Sequence, residues 1–183
     1  MARIQLPAPG RLIISFIYSS LDALTDALTE VERRFGPVQY ETLDIPCTEV
    51  SRYREEMGGD LTRRFFSFER EVECDQLIAC KKICHKIESR YGDQVDDTTF
   101  RTVNMDPGLM TPENLVVASH REANHRVYLG DGVYADLTLV WSQGRFVRLP
   151  WTPEDYCHDE AIDLFQRVHT SFDVLDPERT PSF

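Results

Sequence analysis

One apolar run near the N-terminus constrains the fold more than any other feature of the chain. Residues 11–19, RLIISFIYS, are almost all apolar and rich in residues that favour β-strands. A strand with one face in solvent alternates apolar and polar residues, whereas a strand covered on both faces does not. The run therefore predicts a first strand that lies at the centre of a sheet and is buried on both sides.

Two stretches with apolar residues at helical spacing follow this strand. The first opens with Ser19 and Asp22, spaced like a capping box, and stops at Gly36-Pro37; its apolar positions are Leu21, Leu24, Leu28, Val31 and Phe35. The second stops at Gly92, and its apolar positions are Leu77, Cys80, Cys84, Ile87 and Tyr91. Each stretch predicts an amphipathic helix with one buried face.

Further strands complete a recognisable order of elements. Residues 38–45, 63–72 and 100–105 have strand patterns. The polar residues 48–60, which include Gly58-Gly59, predict an exposed loop. The resulting order, β-α-β-β-α-β, is that of a ferredoxin-like core, in which an antiparallel sheet carries both helices on one face. We therefore predict an α+β fold built on this core.

The C-terminal part extends the core with a β-hairpin and a final helix. Thr111-Pro112-Glu113 predicts a short helical turn, and strand patterns follow at residues 125–129, 133–141 and 146–149. Apolar residues at helical spacing predict the last helix over residues 159–172.

These elements fit one domain, because 183 residues would be cramped as two. Within the single domain 1–183 we place the core at about 10–106, the extension at about 107–175 and a polar tail at 176–183.

Composition excludes several classes of function. The chain has 31 Asp and Glu against 20 Lys and Arg, a formal net charge of -11, which opposes non-specific binding to nucleic acid or anionic lipid. No segment approaches the roughly 20 apolar residues of a membrane span. The five cysteines are odd in number and lack the spacing of a disulfide framework, so we expect a cytoplasmic protein.

Polar residues that suit a functional site lie between apolar runs in residues 103–141. Asp106-Pro107-Gly108 first predicts a turn, since proline and glycine favour turn positions. Asn104 and Asp106 would then project together from a strand end, where Asp106 suits a general base. His125 is a second catalytic candidate, although a histidine among apolar neighbours is more often structural.

An anion site is a further interpretation of the same segment. Strand alternation puts Arg126 and Tyr128 on one face, and a guanidinium beside a phenol suits phosphate or carboxylate. Tyr134 and Asp136 share a face of the next strand, across a short hairpin. We therefore assign Asn104, Arg126, Tyr128 and Asp136 to the candidate ligand site.

Metal and cofactor signals are weak. Asp106, His125 and Asp136 form a two-carboxylate, one-histidine set that suits a divalent ion, yet neither H-x-H nor H-x-x-x-H spacing is present. Cys80 and Cys84 fall on an apolar helical stripe, so core packing is favoured over zinc. The chain contains neither a P-loop nor a dinucleotide-binding fingerprint.

The densest basic group brackets Gly58-Gly59; its members are Arg52, Arg54, Arg63, Arg64 and Arg70. Salt bridges to Glu55, Glu56, Glu69 and Glu71 are one interpretation. The alternative is an anion-binding lid hinged at the glycines, with Arg64 as a ligand contact.

Several motifs give the chain a family resemblance. They are E-M-G-G at residues 56–59, R-R-F-F-S-F-E at 63–69, N-M-D-P-G-L at 104–109, H-R-V-Y-L-G-D-G-V-Y-A-D at 125–136 and L-P-W-T-P-E-D-Y at 149–156, with R-R-F-G-P at 33–37. Together they resemble an uncharacterised bacterial family catalogued as domain of unknown function 4416. The chain departs from the family pattern at His120, where lysine is expected, and at Asp136, where glutamate is expected.

The resemblance implies no established activity. Some members carry a GTP-binding label, which this sequence does not support because it has no P-loop. We therefore predict that the protein has a site for an anionic small molecule. The protein either binds this ligand only or acts on it as an enzyme. The alternative is a non-catalytic interaction or regulatory module, whose acidic C-terminal helix and tail would contact a basic protein partner.

Overall fold

A computed structural model of the chain describes residues 6–95 and 98–175, and the predicted polar tail lies outside them. The described part is an α+β fold with a mostly antiparallel sheet, as predicted, and it has four α-helices. No helix in these two ranges combines the length and apolar character needed to cross a membrane.

The elements have the following bounds. The helices are α1 (Leu21–Phe35), α2 (Val50–Met57), α3 (Leu77–Glu88) and α4 (Asp159–Leu175). The strands are β1 (Gly10–Tyr18), β2 (Val38–Glu41), β3 (Ile45–Pro46), β4 (Thr62–Val72), β5 (Gly92–Val95), β6 (Thr98–Arg101), β7 (Val103–Met110), β8 (Asn114–Ser119), β9 (Arg126–Gly130), β10 (Val133–Ser142) and β11 (Arg145–Arg148).

The main sheet has β1 near its centre. Its strand order is β11-β10-β8-β7-β1-β4-β2, with β3 beside β4 and β9 beside β10, and every pair is antiparallel. All nine residues of β1 are buried between β4 and β7. The prediction of a central strand covered on both faces is therefore confirmed. Strands β5 and β6 form a separate hairpin.

Alternation along β1 divides the core between the two faces of the sheet. Phe16 packs with the apolar stripes of α1 and α3 on one face. Ile13 packs against α4 on the other face, and Ile17, further along, packs under α2. Each large side chain buried in this way stabilises the fold by roughly 1.5–3 kcal/mol. The N-cap of α1 is one residue later than predicted. Ser20 rather than Ser19 accepts the hydrogen bond from Ala23 N–H, at 3.3 Å.

The prediction of an exposed loop at residues 48–60 is wrong, since α2 occupies Val50–Met57. This helix is short and mostly polar, so its periodicity is weak in the sequence. Tyr53 and Met57 are one helical turn apart and both are buried, against a small cluster that includes Ile17. Tertiary packing of these two side chains therefore decides the structure of the segment.

The predicted turn at Asp106-Pro107-Gly108 is also wrong, because all three residues lie within β7. Strand β8 pairs with β7 only over Gly108, Leu109 and Met110, so the two strands have separated at Pro107. Proline lacks the N–H that a second neighbouring strand would need, and it is tolerated where that neighbour is missing. The chain instead reverses at residues 111–113, where we predicted a helical turn.

Close packing where β7 and β8 meet leads to a test at Gly108. A methyl group there would lie 3.0 Å from the Val116 carbonyl oxygen and 3.1 Å from a Val117 methyl carbon. We expect Gly108→Ala to lower the free energy of unfolding by about 1–3 kcal/mol, measured by urea denaturation. The control is Gly59→Ala, where the nearest atom is 3.9 Å away and a change within about 0.5 kcal/mol is expected. Equal effects of the two substitutions would contradict this account.

Candidate functional site

A cavity of about 590 Å³ lies where β7 and β8 separate. Helix α2 and the residue before it contribute Glu49, Arg52, Tyr53, Glu55 and Glu56 to its wall, and α3 contributes Lys81, His85 and Glu88. Strand β7 contributes Asn104 and Asp106, and β8 with the following residues contributes Val117, Ala118, Ser119, His120 and Arg121. Arg63, Arg126, Asp136 and Tyr156 also line it. The cavity thus draws on both faces of the sheet.

Side chains of α3 take the place of β8 along the separated part of β7. The Met105 backbone N–H donates a hydrogen bond to the carboxylate of Glu88. The Met105 carbonyl oxygen accepts a hydrogen bond from Lys81 Nζ at 2.9 Å. Because a buried backbone group without a partner destabilises a fold by about 1–3 kcal/mol, these two bonds allow the strands to part.

Lys81 also forms an ion pair at the floor of the cavity. Its Nζ lies 2.8 Å from Asp106 Oδ1, and Asn104 Nδ2 donates to Asp106 Oδ2 at 2.9 Å. Burial alone would raise the pKa of Asp106, but the Lys81 ammonium and these hydrogen bonds lower it to about 2. Burial would lower the pKa of Lys81, yet Asp106 and Glu88 raise it overall. Both groups are therefore charged at neutral pH, and Asp106 is a weak base.

Arg63, rather than the predicted Arg64, faces the cavity. Successive residues of a strand point to opposite faces, so a choice one residue away selects the wrong side. The buried Arg63 donates to Ser15 Oγ at 2.8 Å and lies 2.7 Å from an Asp155 carboxylate oxygen and 3.1 Å from a Glu49 one. Arg64 instead pairs with Asp44 and Glu41, away from the lining.

Arg126 and Asp136 lie opposite each other on β9 and β10, as the predicted hairpin requires. Arg126 Nε is 2.8 Å from Asp136 Oδ2, and Nη1 donates at 2.9 Å to both Ser119 Oγ and the Arg121 carbonyl oxygen. Arg126 therefore lines the cavity with its positive charge balanced by Asp136. Its hydrogen bond to the Arg121 carbonyl oxygen also fixes the backbone at that residue.

Two other predicted site residues do not line the cavity. The His125 ring stacks on Trp151, with 5.0 Å between ring centroids, and its Nε2 is 3.3 Å from Asp136 Oδ2. Tyr128 is 59% exposed, and its hydroxyl oxygen accepts a hydrogen bond from Gly132 N–H at 3.3 Å. The structure therefore brings together Asn104, Asp106, Arg126 and Asp136, and it places His125, Tyr128 and Arg64 elsewhere.

The proposed metal set of Asp106, His125 and Asp136 gains no support from this arrangement. The carboxylates of Asp106 and Asp136 already form ion pairs with Lys81 and Arg126. The His125 ring stacks on Trp151, outside the cavity lining. Within residues 6–95 and 98–175, no group of three or more His, Cys, Asp or Glu side chains is placed to hold a metal ion.

Several lining residues were missed by sequence reasoning, and α3 carried a signal for two of them. Lys81 lies one helical turn after Leu77, and Glu88 lies one turn after Cys84. Both charged residues therefore share the buried stripe of the helix. A charged residue at a buried helical position needs a partner, which makes it a candidate site residue. Tyr53 and Arg121 gave no comparable signal, because one lies in the undetected α2 and the other follows a strand.

Tyr53 and Glu56 hold α2 over the cavity through two arginines. The guanidinium carbons of Arg101 and Arg121 lie 5.9 and 5.3 Å from the centroid of the Tyr53 ring. Arg101 Nη2 is 2.7 Å from Glu56 Oε2, whereas Arg121 Nη2 is 4.0 Å from Glu56 Oε1. Arg101 is thus firmly paired and Arg121 is not.

Removing the charge of Asp106 tests the floor of the cavity. In Asp106→Asn the Lys81 ammonium loses its counter-ion, so we expect the free energy of unfolding at pH 7 to fall by about 3 kcal/mol. The pKa of Asp106 is about 2 against an ordinary 3.8, so its ionised form stabilises the fold above about pH 4, by about 2 kcal/mol. That stabilisation disappears as the pH falls through the folded pKa.

The difference between wild type and Asp106→Asn, measured by urea denaturation, should therefore shrink between about pH 4 and pH 2. The control is Asp163→Asn, which removes a carboxylate that is 73% exposed and 3.9 Å from Arg167. A difference that stays constant with pH would rule out the ion pair as its cause.

Five of the motifs that carry the family resemblance converge on this cavity. Each supplies at least one lining residue, and examples in chain order are Glu56, Arg63, Asp106, Asp136 and Tyr156. The motifs are spread over residues 56–156, so the fold brings the distant ones together.

Comparison with known proteins agrees with the resemblance. The model of the family described as domain of unknown function (DUF4416) matches residues 8–172. No curated protein and no solved structure matches the chain significantly. Since the match spans nearly the whole sequence, the chain belongs to the DUF4416 family.

Proposed function

We propose that the cavity between β7 and β8 binds an anionic small molecule through Arg121. The observation that carries this proposal is the state of the lining cations. Arg52, Arg63, Lys81, Arg101 and Arg126 each pair closely with a carboxylate. The Arg121 guanidinium, by contrast, donates no hydrogen bond to the described residues, and its contact with Glu56 is 4.0 Å long. Arg121 is therefore the lining cation without a close carboxylate partner among the described residues.

The surroundings of Arg121 prepare it for this role. Its backbone N–H donates to Ser119 Oγ at 3.0 Å, and its carbonyl oxygen accepts from Arg126. The Tyr53 ring supports the guanidinium from one side by a cation-π contact. A guanidinium with a fixed backbone and free N–H groups suits bidentate binding of phosphate or carboxylate.

His120 adds a second group at the mouth of the cavity. Its Nδ1 lies 2.9 Å from the Gly132 carbonyl oxygen, which can only accept, so Nδ1 carries the hydrogen. Nε2 is then the ring atom left for a ligand. His120 thus presents a ring nitrogen to the cavity beside Arg121.

The charge of the lining supports an anionic ligand. It contains six Arg and Lys and six Asp and Glu residues, whereas the whole chain has a net charge of -11. The cavity is therefore locally balanced, and an anion meets less repulsion there than elsewhere on the protein. The proposal concerns binding, because the Lys81–Asp106 pair is fully ionised and poorly suited to proton transfer near neutral pH.

We also propose that β7-β1-β4-β2 with α1 and α3 is a ferredoxin-like core. This strand order, the antiparallel pairing and the shared face of the two helices support it. A cytoplasmic location is a further proposal, supported by the five unpaired cysteines. The alternative of an interaction module stays a prediction, since the acidic tail lies outside the described residues.

Substituting Arg121 tests the proposed function. We expect millimolar phosphate or citrate, at constant ionic strength, to raise the thermal midpoint of the wild type and to give measurable calorimetric binding. Arg121→Gln should weaken that binding about tenfold or more, because it removes a charge-assisted, bidentate contact. Arg121→Lys should have an intermediate affinity, since it keeps the charge and loses the planar fork.

The matched control is Arg145→Gln, which removes an exposed arginine on β11 outside the cavity. It should bind anions as the wild type does. The proposal fails if no anion binds to the wild type, or if both glutamine variants bind equally well.

A further inference from the structure

We infer that the ligand is an organic phosphate with a polyhydroxylated body, such as a sugar phosphate. The inference rests on the proposed anion site at Arg121 and concerns the rest of the cavity. At about 590 Å³, the cavity falls within the range of about 300–1,000 Å³ typical of sites for whole small molecules, well beyond a single phosphate group. The cavity therefore has room for a ligand with a body as well as an anionic head.

Two polar groups of the lining are left for that body. Asn104 turns its amide nitrogen to Asp106, since a carboxylate only accepts, and its amide oxygen has no partner among the described residues. The Tyr53 hydroxyl also has none there. Neither atom belongs to the buried groups that lack a partner, so both are accessible from the cavity that their residues line. The Asn104 amide oxygen can accept a hydrogen bond, and the Tyr53 hydroxyl can donate or accept one. Both can therefore bind hydroxyl groups of a ligand, which donate and accept.

The charges inside the cavity favour neutral hydroxyls over an ammonium group. Asp106 pairs with Lys81 and Asp136 with Arg126. No net negative charge therefore remains at these positions to select a cation. Carboxylate oxygens keep spare lone pairs after one hydrogen bond, so they can still accept from a hydroxyl. A polyol suits this environment better than an amino acid.

The two tyrosine rings of the lining disfavour a nucleotide. Binding of a base commonly relies on stacking against an open ring face. The Tyr53 ring already contacts the guanidinium groups of Arg101 and Arg121. The Tyr156 ring has the Arg63 guanidinium 5.3 Å from its centroid and Phe65 at 4.8 Å. A sugar without a base therefore fits the cavity better than a nucleoside phosphate.

Calorimetry on the full chain tests the inference with five probes: inorganic phosphate, ribose 5-phosphate, glucose 6-phosphate, glutamate and GMP. A sugar phosphate should bind about tenfold or more tighter than inorganic phosphate, and tighter than glutamate or GMP. Tyr53→Phe should weaken sugar phosphate binding about fivefold and phosphate binding much less, because it keeps the ring beside Arg121 and removes one neutral hydrogen bond to the sugar. The lost hydroxyl has no partner among the described residues, so we expect little change in the free energy of unfolding.

Arg121→Gln tests the proposed anion site, and Tyr53→Phe tests the site for the sugar, so the two variants distinguish a failure of one proposal from a failure of the other. Binding of every anionic probe weakened about tenfold or more in Arg121→Gln, together with a selective effect of Tyr53→Phe, supports both proposals. If sugar phosphates bind no tighter than phosphate, or if glutamate or GMP binds tighter, the polyol assignment is overturned while the anion site stands. If no probe binds to the wild type, both proposals fall.

Discussion

The cavity depends on the two hydrogen bonds that α3 makes to the backbone of Met105. They satisfy an N–H and a carbonyl group that β8 would satisfy in a continuous sheet. Pro107, two residues further along β7, has no N–H that needs a partner there. The strands can therefore part without leaving buried backbone groups unpaired, and the gap becomes a cavity instead of a packed seam.

The charges around this gap form a connected arrangement. Lys81 bonds to the β7 backbone and to Asp106, while Glu88 bonds to the same strand and lies 3.7 Å from Arg101. Arg101 in turn holds Glu56 on α2, which covers the cavity. Loss of one partner would leave the other charged in a buried place, so the arrangement fixes the positions of α2, α3 and β7 together.

Local patterns made much of the fold predictable. The apolar run of β1, the stripes of α1 and α3 and the β9–β10 hairpin are set by near neighbours in sequence. Alternation also found Asn104 with Asp106, and Arg126 with Asp136. Arg64 was chosen from a cluster of arginines, and it lies outside the cavity lining because successive residues of a strand face opposite sides. Helix α2 was not predicted, because its structure depends on where Tyr53 and Met57 are buried.

The sequence by itself determined β1, α1, α3, the β9–β10 hairpin and α4, because side-chain periodicity and burial act over a few residues. It also determined the family, since its motifs extend along most of the chain. Only the tertiary structure decided that Asp106-Pro107-Gly108 is extended, that Lys81 and Glu88 face β7, and that Arg121 is left with free donors. Each of these depends on which distant group satisfies a buried charge or backbone bond, and spacing along the chain does not encode that choice.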